Sequence, residues 1–106
     1  MELRHLRYFV AVAEALSSTK AAENLHLAQP SLTRQIKDLE AEIEVRLIDR
    51  SGRRIALTQE GESFLLDARR LLSECAQSVQ AVQRLSRGES GQLNFTNCSV
   101  IVEAPE

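Results

Sequence analysis

The fold is decided between Ser17 and Leu39, where the chain runs SSTKAAENLHLAQPSLTRQIKDL. Ser17 is a favourable N-cap residue, and the residues that follow it predict a short helix over 18–25. Ala21 and Ala22 lie within that helix, and their small side chains allow another helix to cross closely. A brief turn then leads into a second helical pattern. The segment therefore predicts a helix-turn-helix.

The helix after the turn has one apolar side and one polar side. Pro30 suits its first turn, where the missing N–H would be unpaired anyway. An apolar stripe follows at helical spacing, at Leu32, Ile36, Leu39 and Ile43. The opposite side carries Arg34 and Lys37. We expect this helix to bury one side and to present small, polar and basic groups at its leading end.

The flanking sequence completes a mainly helical domain. Apolar residues at spacings of three and four predict a first helix over roughly 2–15. Beyond the third helix, 47–50 and 54–57 predict two short strands around Ser51, Gly52 and Arg53, because glycine supports a tight hairpin. Three helices followed by such a hairpin are the plan of a winged helix-turn-helix, in which the hairpin is the wing.

A long helix is predicted after the hairpin. Thr58 opens it, and no glycine or proline interrupts the chain between Gly61 and Gly88. A sustained apolar seam alternates spacings of three and four, at Leu65, Ala68, Leu72, Cys75, Val79 and Val82. A helix of about 30 residues extends roughly 45 Å, and so small a head cannot cover its whole stripe. We therefore predict a dimer interface along this seam.

Composition argues against several classes of protein. The 106 residues suit one domain and are few for an enzyme with an enclosed pocket. No apolar run could span a bilayer, and Cys75 and Cys98 have no metal-ligand spacing. Nor is there a nucleophile–base pair or a phosphate-binding glycine loop. We expect no catalytic residue, metal, cofactor or membrane partner, and a cytoplasmic location.

Local charge placement favours double-stranded DNA as the partner, although the net charge is −2. The third helix would enter the major groove, where Arg34 can pair with guanine and Gln29 with adenine. The start of the second helix suits a phosphate, and the hairpin arginines suit a narrow minor groove. The predicted DNA contacts are Ser17, Ser18, Thr19, Lys20, Gln29, Pro30, Ser31, Thr33, Arg34, Lys37, Arg50, Arg53 and Arg54. The acidic residues of the third helix are expected on its solvated back, at Asp38, Glu40, Glu42 and Glu44.

Two motifs resemble the DNA-binding domain of LysR-type transcriptional regulators. They are Thr19-Lys20-Ala21-Ala22-x-x-Leu25 and Ala28-Gln29-Pro30-Ser31-Leu32-Thr33-Arg34-Gln35-Ile36-x-x-Leu39-Glu40. The resemblance continues through Leu47, Arg50, Arg53 and Leu57-Thr58-x-x-Gly61, and it covers roughly residues 1–93. It implies a dimer built on the long helix and DNA contacts at Gln29, Pro30, Ser31, Thr33, Arg34 and Arg53. It also implies tetramers and a small-molecule inducer, both only in a full-length protein with an effector domain.

Three positions depart from the family pattern, at Ser18, where a bulky apolar residue is usual, at Ile48, where an aromatic one is common, and at Glu44. Glu44 stands where a glycine is usual, at the C-terminal end of the third helix. A left-handed backbone there would cost a non-glycine residue roughly 1 kcal/mol. The position lies away from the predicted base contacts, so we expect it to affect stability more than function.

The sequence thus predicts three parts and one main function. The parts are a winged helix-turn-helix over 1–58, a linker and dimerisation helix over 59–87, and a linker with the stub of a missing effector domain over 88–106. The predicted function is that of a transcriptional regulator that binds a pseudo-palindromic operator as a dimer, through its recognition helix and wing. The alternative is an interaction module that pairs with other regulator chains through the long helix.

Overall fold

The computed structural model describes residues 1–52 and 54–88, which form four helices and one two-stranded hairpin. The helices are α1 (Leu3–Ala15), α2 (Ser18–Leu25), α3 (Gln29–Ile43) and α4 (Gln59–Arg87), and the strands are β1 (Ile48–Asp49) and β2 (Ala56–Leu57). The strands are antiparallel, with Ile48 opposite Leu57 and Asp49 opposite Ala56. The predicted fold, a mainly helical winged helix-turn-helix with a long final helix, is confirmed.

Side chains fix where three of the helices begin. α1 begins one residue later than predicted because Glu2 is its N-cap, and the Glu2 N–H donates to Nδ1 of His5 at 3.0 Å. Ser17 caps α2 as predicted, since its Oγ accepts from the Lys20 N–H at 3.2 Å. Thr58 caps α4 in the same way, with its Oγ1 accepting from the Gly61 N–H at 2.9 Å.

The core lies where α1, α2, α3 and the start of α4 meet. Its largest fully buried side chains come from α1, from α3 and from the start of the hairpin, at Phe9, Val12, Leu32, Ile36, Leu39, Leu47 and Ile48. Ala21 is also fully buried, as a close helix crossing requires. The rings of Phe9 and Phe64 lie 5.6 Å apart and join α1 to α4. This packing sets the direction of α3 relative to the rest of the head.

Glu40 does not lie on a solvated back of α3, and that expectation was wrong for this residue. It is 7 % exposed, and its Oε2 accepts from the N–H groups of Leu47 and Ile48 at 2.7 and 2.9 Å. Two buried backbone donors would otherwise be unsatisfied, at a cost of about 1–3 kcal/mol each. Asp38, Glu42 and Glu44 are exposed as expected.

The hairpin strands are shorter than predicted, and β1 begins at Ile48 rather than at Leu47 because neighbouring groups take the hydrogen bonds of Leu47. Its N–H goes to Glu40, and its carbonyl oxygen accepts from the Thr58 N–H at 3.0 Å. The Thr58 hydroxyl donates to the Arg46 carbonyl at 2.7 Å. The chain just before β1 is therefore held by α3 on one side and by the start of α4 on the other.

Gly61 allows α4 to approach the chain before β1. A Cβ at this position would lie 2.2 Å from the carbonyl oxygen of Leu47, far inside van der Waals contact. Gly61 itself is buried. Only a residue without a side chain permits this approach, because the obstructing atom belongs to the backbone.

Glu44 ends α3 in the left-handed conformation, as the missing glycine led us to expect, with φ 61° and ψ 40°. The N–H groups of Glu44 and Val45 both donate to the carbonyl of Glu40, the latter at 3.1 Å. These bonds close the helix end and fix the turn toward β1. The connection between α3 and the hairpin therefore requires the left-handed backbone at Glu44, with its cost in conformational free energy.

The structure corrects two of the six residues predicted for a dimer seam on α4. Ala68 and Leu72 are 0 % and 4 % exposed and belong to the core of this chain, so no free surface remains on them for a partner. Leu65 also packs against that core and is partly buried. Cys75 and Val79 are half-buried, whereas Val82 is 63 % exposed. The uncovered stripe therefore lies in the second half of α4.

Within the described residues, no helix is long and apolar enough to cross a membrane. The same part of the chain brings together no three His, Cys, Asp or Glu side chains that could hold a metal ion. Cys98 and the sequence after Gly88 lie outside it.

Candidate nucleic-acid interface

The polar side of α3 is open to solvent along the first half of the helix. Gln29, Pro30, Ser31, Arg34 and Lys37 are exposed, and Thr33 is half-buried. The N-cap is Ala28, whose side chain makes no capping hydrogen bond. A helix N-terminus without a capping side chain favours negatively charged groups at this end. Most of these residues, together with Asp38, line one shallow depression.

The start of α2 lies beside the start of α3. Ser17 and Ser18 are half-buried, whereas Thr19 and Lys20 are exposed. The Thr19 hydroxyl donates to Oε1 of Gln29 at 3.2 Å. This bond restricts the side chain of Gln29 and leaves its NH2 group as a donor for a ligand.

A single groove joins the start of α2, the first half of α3 and the hairpin. It is lined by Leu16, Ser17, Ser18, Thr19, Gln29, Thr33, Arg50, Gly52, Arg54 and Ile55. Gln29 and Thr33 line both this groove and the depression on α3. Seven of the residues predicted from the sequence to contact DNA thus surround one continuous concave surface, although up to 37 positions separate them in the chain. We call it the α2–hairpin groove.

The hairpin arginines occupy different positions. Arg54 is exposed, whereas Arg50 is half-buried and its Nη1 lies 4.0 Å from Oε1 of Glu40. Arg53, the third arginine predicted here, lies outside the described residues. Arg50 also lines a second hollow at the C-terminal end of α3, together with Lys37, Glu40 and Arg46.

Asp49 shapes the turn between Arg50 and the hairpin tip. Its Oδ1 accepts from both the N–H and the hydroxyl of Ser51, at 2.9 and 2.7 Å. These hydrogen bonds stabilise the charged carboxylate and hold the pKa of Asp49 below its usual value. The turn that orients Arg50 is therefore fixed by a local side-chain contact.

Two residues near this surface were not predicted from the sequence. Arg46 is exposed beside Lys37 and Arg50, and its position after a left-handed turn gave no periodic signal. Glu40 did carry a signal, because it follows Ile36 by four residues and so falls on the buried side of α3. A carboxylate at a core-facing helical position indicates hydrogen-bond partners from another segment.

The arrangement is suited to a polyanion with a regular surface. Guanidinium, amide and hydroxyl groups at α3 can bond to base edges, and the cations and N–H groups around the groove can bond to phosphates. The acidic groups of α3 mostly lie elsewhere. Glu42, for example, pairs with the ammonium group of Met1 at 2.7 Å, and this bond holds the pKa of Glu42 below its usual value. The slightly negative net charge is thus compatible with a locally basic surface.

Comparison with protein families gives one match over most of the folded part of the chain. Residues 3–62 match the bacterial regulatory helix-turn-helix proteins of the lysR family. The chain is similar to the uncharacterised regulator YnfL of Escherichia coli strain K12, with 44 % identity over 106 residues. That alignment covers 98 % of this chain and 36 % of YnfL. The chain spans about a third of the length of the curated relatives it matches.

Solved structures give the same relationship. The chain is similar to the BenM DNA-binding domain in its complex with catB site 1 DNA, at 49 % identity and a TM-score of 0.79. That match covers 87 % of this chain and 100 % of the other. The CbnR DNA-binding domain in complex with DNA is 46 % identical with a TM-score of 0.77, over 81 % of this chain and 99 % of that one.

Proposed function

Because the chain belongs to the LysR family of bacterial regulatory helix-turn-helix proteins, we propose that it binds a specific DNA operator as a dimer. It carries the DNA-binding domain of a LysR-type transcriptional regulator, a class of proteins that are not enzymes. The observation that carries the proposal is the α2–hairpin groove, which gathers predicted contact residues from three separate elements around the open side of α3.

We assign base contacts to the leading half of α3. Arg34 is exposed, and its fork of donors matches O6 and N7 of guanine, whereas the exposed amide of Gln29 matches adenine. Pro30 and Ser31 lie at the helix end that would enter the major groove first, and Thr33 and Lys37 flank Arg34. Such bidentate pairs discriminate between bases by about 1–3 kcal/mol each.

We assign phosphate contacts to the rim of the groove. Lys20 and the capped start of α2 place a cation and N–H groups beside α3, and Ser17, Ser18 and Thr19 supply hydroxyl groups. On the other side, Arg50 and Arg54 supply guanidinium groups from the hairpin. Arg53 is proposed from the sequence alone to reach a narrow minor groove, where negative potential attracts guanidinium.

The part of α4 from Leu71 onward supports pairing with a second copy. Leu71, Val82 and Leu85 are 39 %, 63 % and 83 % exposed, and Cys75 and Val79 are half-buried along the same segment. The head covers only the first half of the stripe, through Ala68 and Leu72. Two recognition helices joined in this way would meet half-sites roughly 34 Å apart, which is one turn of DNA.

We further propose that different segments of the full protein have different functions. Residues 1–58 bind DNA and 59–87 link and dimerise, with the boundary where Thr58 caps α4. Tetramers and a small-molecule inducer belong to a longer protein with an effector domain. The site of action is the cytoplasm, where bacterial DNA lies.

The experiment is a binding titration with duplexes selected from a random pool by the unmodified chain. Arg34→Ala should weaken binding about 10- to 100-fold and relax the preference at one base position per half-site, because a bidentate pair is worth about 1–3 kcal/mol. The control is Arg70→Ala, which removes an exposed arginine of α4 that pairs with Asp67. Equal losses in the two variants would contradict the assignment of α3.

A second test separates the hairpin from α3. Arg53→Ala should weaken binding most on duplexes with A·T-rich flanks, where the minor groove is narrow. The same loss on G·C-rich flanks would contradict a minor-groove contact.

One observation favours a second candidate function. The uncovered apolar side chains of α4 could pair with another regulator chain rather than with a second copy. Gel filtration with and without a full-length homologue distinguishes these cases. A mixed dimer that forms at the expense of the homodimer would favour the interaction module, whereas an undisturbed homodimer would favour a self-sufficient DNA-binding protein.

A further inference from the structure

A buried carboxylate connects α3 with the hairpin. The Glu40 side chain is 8 % exposed, and its Oε2 accepts from the N–H groups of Leu47 and Ile48. Its other oxygen, Oε1, lies 4.0 Å from Nη1 of Arg50. Both oxygens of Glu40 therefore face the segment that ends at Arg50.

The backbone contacts alone do not explain why this residue is charged. A single amide oxygen could accept from the same two N–H groups, and a buried charge costs free energy unless another charge compensates it. Arg50 is the cation that this part of the structure brings to Glu40. Its guanidinium has five N–H donors in a planar fork, and an edge turned toward Glu40 leaves the remaining donors for another anion.

Arg50 lies between two concave surfaces. It lines the α2–hairpin groove with Ser17, Thr19 and Arg54, and it lines the hollow at the C-terminal end of α3 with Lys37. Its side chain is 28 % exposed, so it is accessible to a ligand while one side of it faces Glu40. The Asp49–Ser51 turn fixes the backbone immediately around it.

We propose that Glu40 is a positioning residue for DNA binding, which holds the guanidinium of Arg50 at the rim of the groove to receive a backbone phosphate. The proposal rests on the proposed function and assigns to Glu40 a role that acts through Arg50. An arginine already restricted before DNA arrives loses less rotamer freedom on binding, which increases affinity without an additional contact. A carboxylate buried on α3 thereby determines where the hairpin presents a positive charge.

The test is a double-mutant cycle in DNA affinity measured across salt concentrations, with duplexes selected by the unmodified chain. Arg50→Ala should lower affinity roughly tenfold and reduce the slope of log affinity against log salt by about one, because one phosphate contact is lost. Glu40→Gln keeps an acceptor for Leu47 and Ile48 but removes the charge, and it should lower affinity about fivefold. The double variant should bind no more weakly than Arg50→Ala alone.

The matched control is Glu44→Gln, which removes the same charge from the same hollow without touching either backbone donor. It should leave affinity within about twofold and the salt slope unchanged. Additive losses from Glu40→Gln and Arg50→Ala would overturn the proposal, since they would show that Glu40 acts on the fold alone. An unchanged salt slope in Arg50→Ala would also overturn it.

A second measurement does not depend on whether the Glu40 variant folds. Nitrogen-15 relaxation of the arginine Nε groups in the free, unmodified chain should give Arg50 an order parameter near that of rigid backbone, about 0.85, and exposed Arg54 a value below about 0.6. Equal mobility of the two side chains would contradict the positioning role. If the unmodified chain bound no duplex at all, the proposed function would fail as well. If it bound DNA but the losses in the double-mutant cycle were additive, only the role of Glu40 would be contradicted.

Discussion

The left-handed residue at the end of α3 provides a quantitative test of the fold. Glu44 has φ 61°, a conformation that costs an L-residue with a side chain roughly 1–2 kcal/mol and costs glycine almost nothing. Glycine loses more backbone entropy on folding, which offsets about 0.5–1 kcal/mol of that gain. Glu44→Gly should therefore stabilise the protein by about 1 kcal/mol, or roughly 4–8 °C in Tm for a domain of this size.

The charge of Glu44 requires a control. An acidic group at a helix C-terminus is unfavourable by about 0.3–1 kcal/mol, so its removal could stabilise the protein without any backbone effect. Glu44→Ala removes the same charge but keeps a Cβ in the left-handed region. The backbone contribution is the difference between the two variants, measured by thermal and urea unfolding at one protein concentration. A glycine variant no more stable than the alanine variant would refute the argument, because the turn would then have to differ from a left-handed one.

Three further predictions follow from contacts elsewhere in the head. Gly61→Ala should destabilise the protein by about 1–3 kcal/mol in urea unfolding, because the new Cβ would lie 2.2 Å from the Leu47 carbonyl oxygen. The control, Ser63→Ala on the exposed side of α4, should be nearly neutral. Thr58→Val should cost about 1–2 kcal/mol in the same assay, since it removes both the cap of α4 and the bond to the Arg46 carbonyl, and an unchanged midpoint would contradict this role. In a carboxyl NMR titration, the pKa of Glu42 should lie below its ordinary value of 4.5 and should return toward that value when the N-terminus is acetylated. Because the pKa is lowered in the folded state, the ion pair between Glu42 and Met1 stabilises the fold above the unfolded-state pKa. This stabilisation is lost as pH falls through the folded-state pKa.

Local chemistry explains why most of the fold could be predicted from the sequence. The caps at Ser17 and Thr58 and the apolar stripe of α3 depend on residues within one or two helical turns of one another. Such signals specify the helices and their order. The left-handed end at Glu44 was expected from the family resemblance, in which a glycine is usual at this position, rather than from local spacing.

Contacts between distant segments could not be predicted in the same way. The seam of α4 has one periodicity from Leu65 to Val82, and nothing in the spacing indicates that the head covers Ala68 and Leu72 but leaves Val82 uncovered. The start of β1 depends on Glu40 and Thr58, which take the hydrogen bonds of Leu47 from opposite directions. The placement of Arg50 beside Glu40 likewise follows from tertiary packing rather than from sequence spacing.

The most direct test of the central claim is selection of duplexes from a random pool by the purified chain at near-physiological salt. We predict enrichment of an inverted repeat whose half-sites lie about 10 base pairs apart, because two recognition helices joined through α4 would enter successive major grooves on one face of the DNA. Recovery of a pool with no consensus, bound only at low salt, would contradict specific recognition by a dimer.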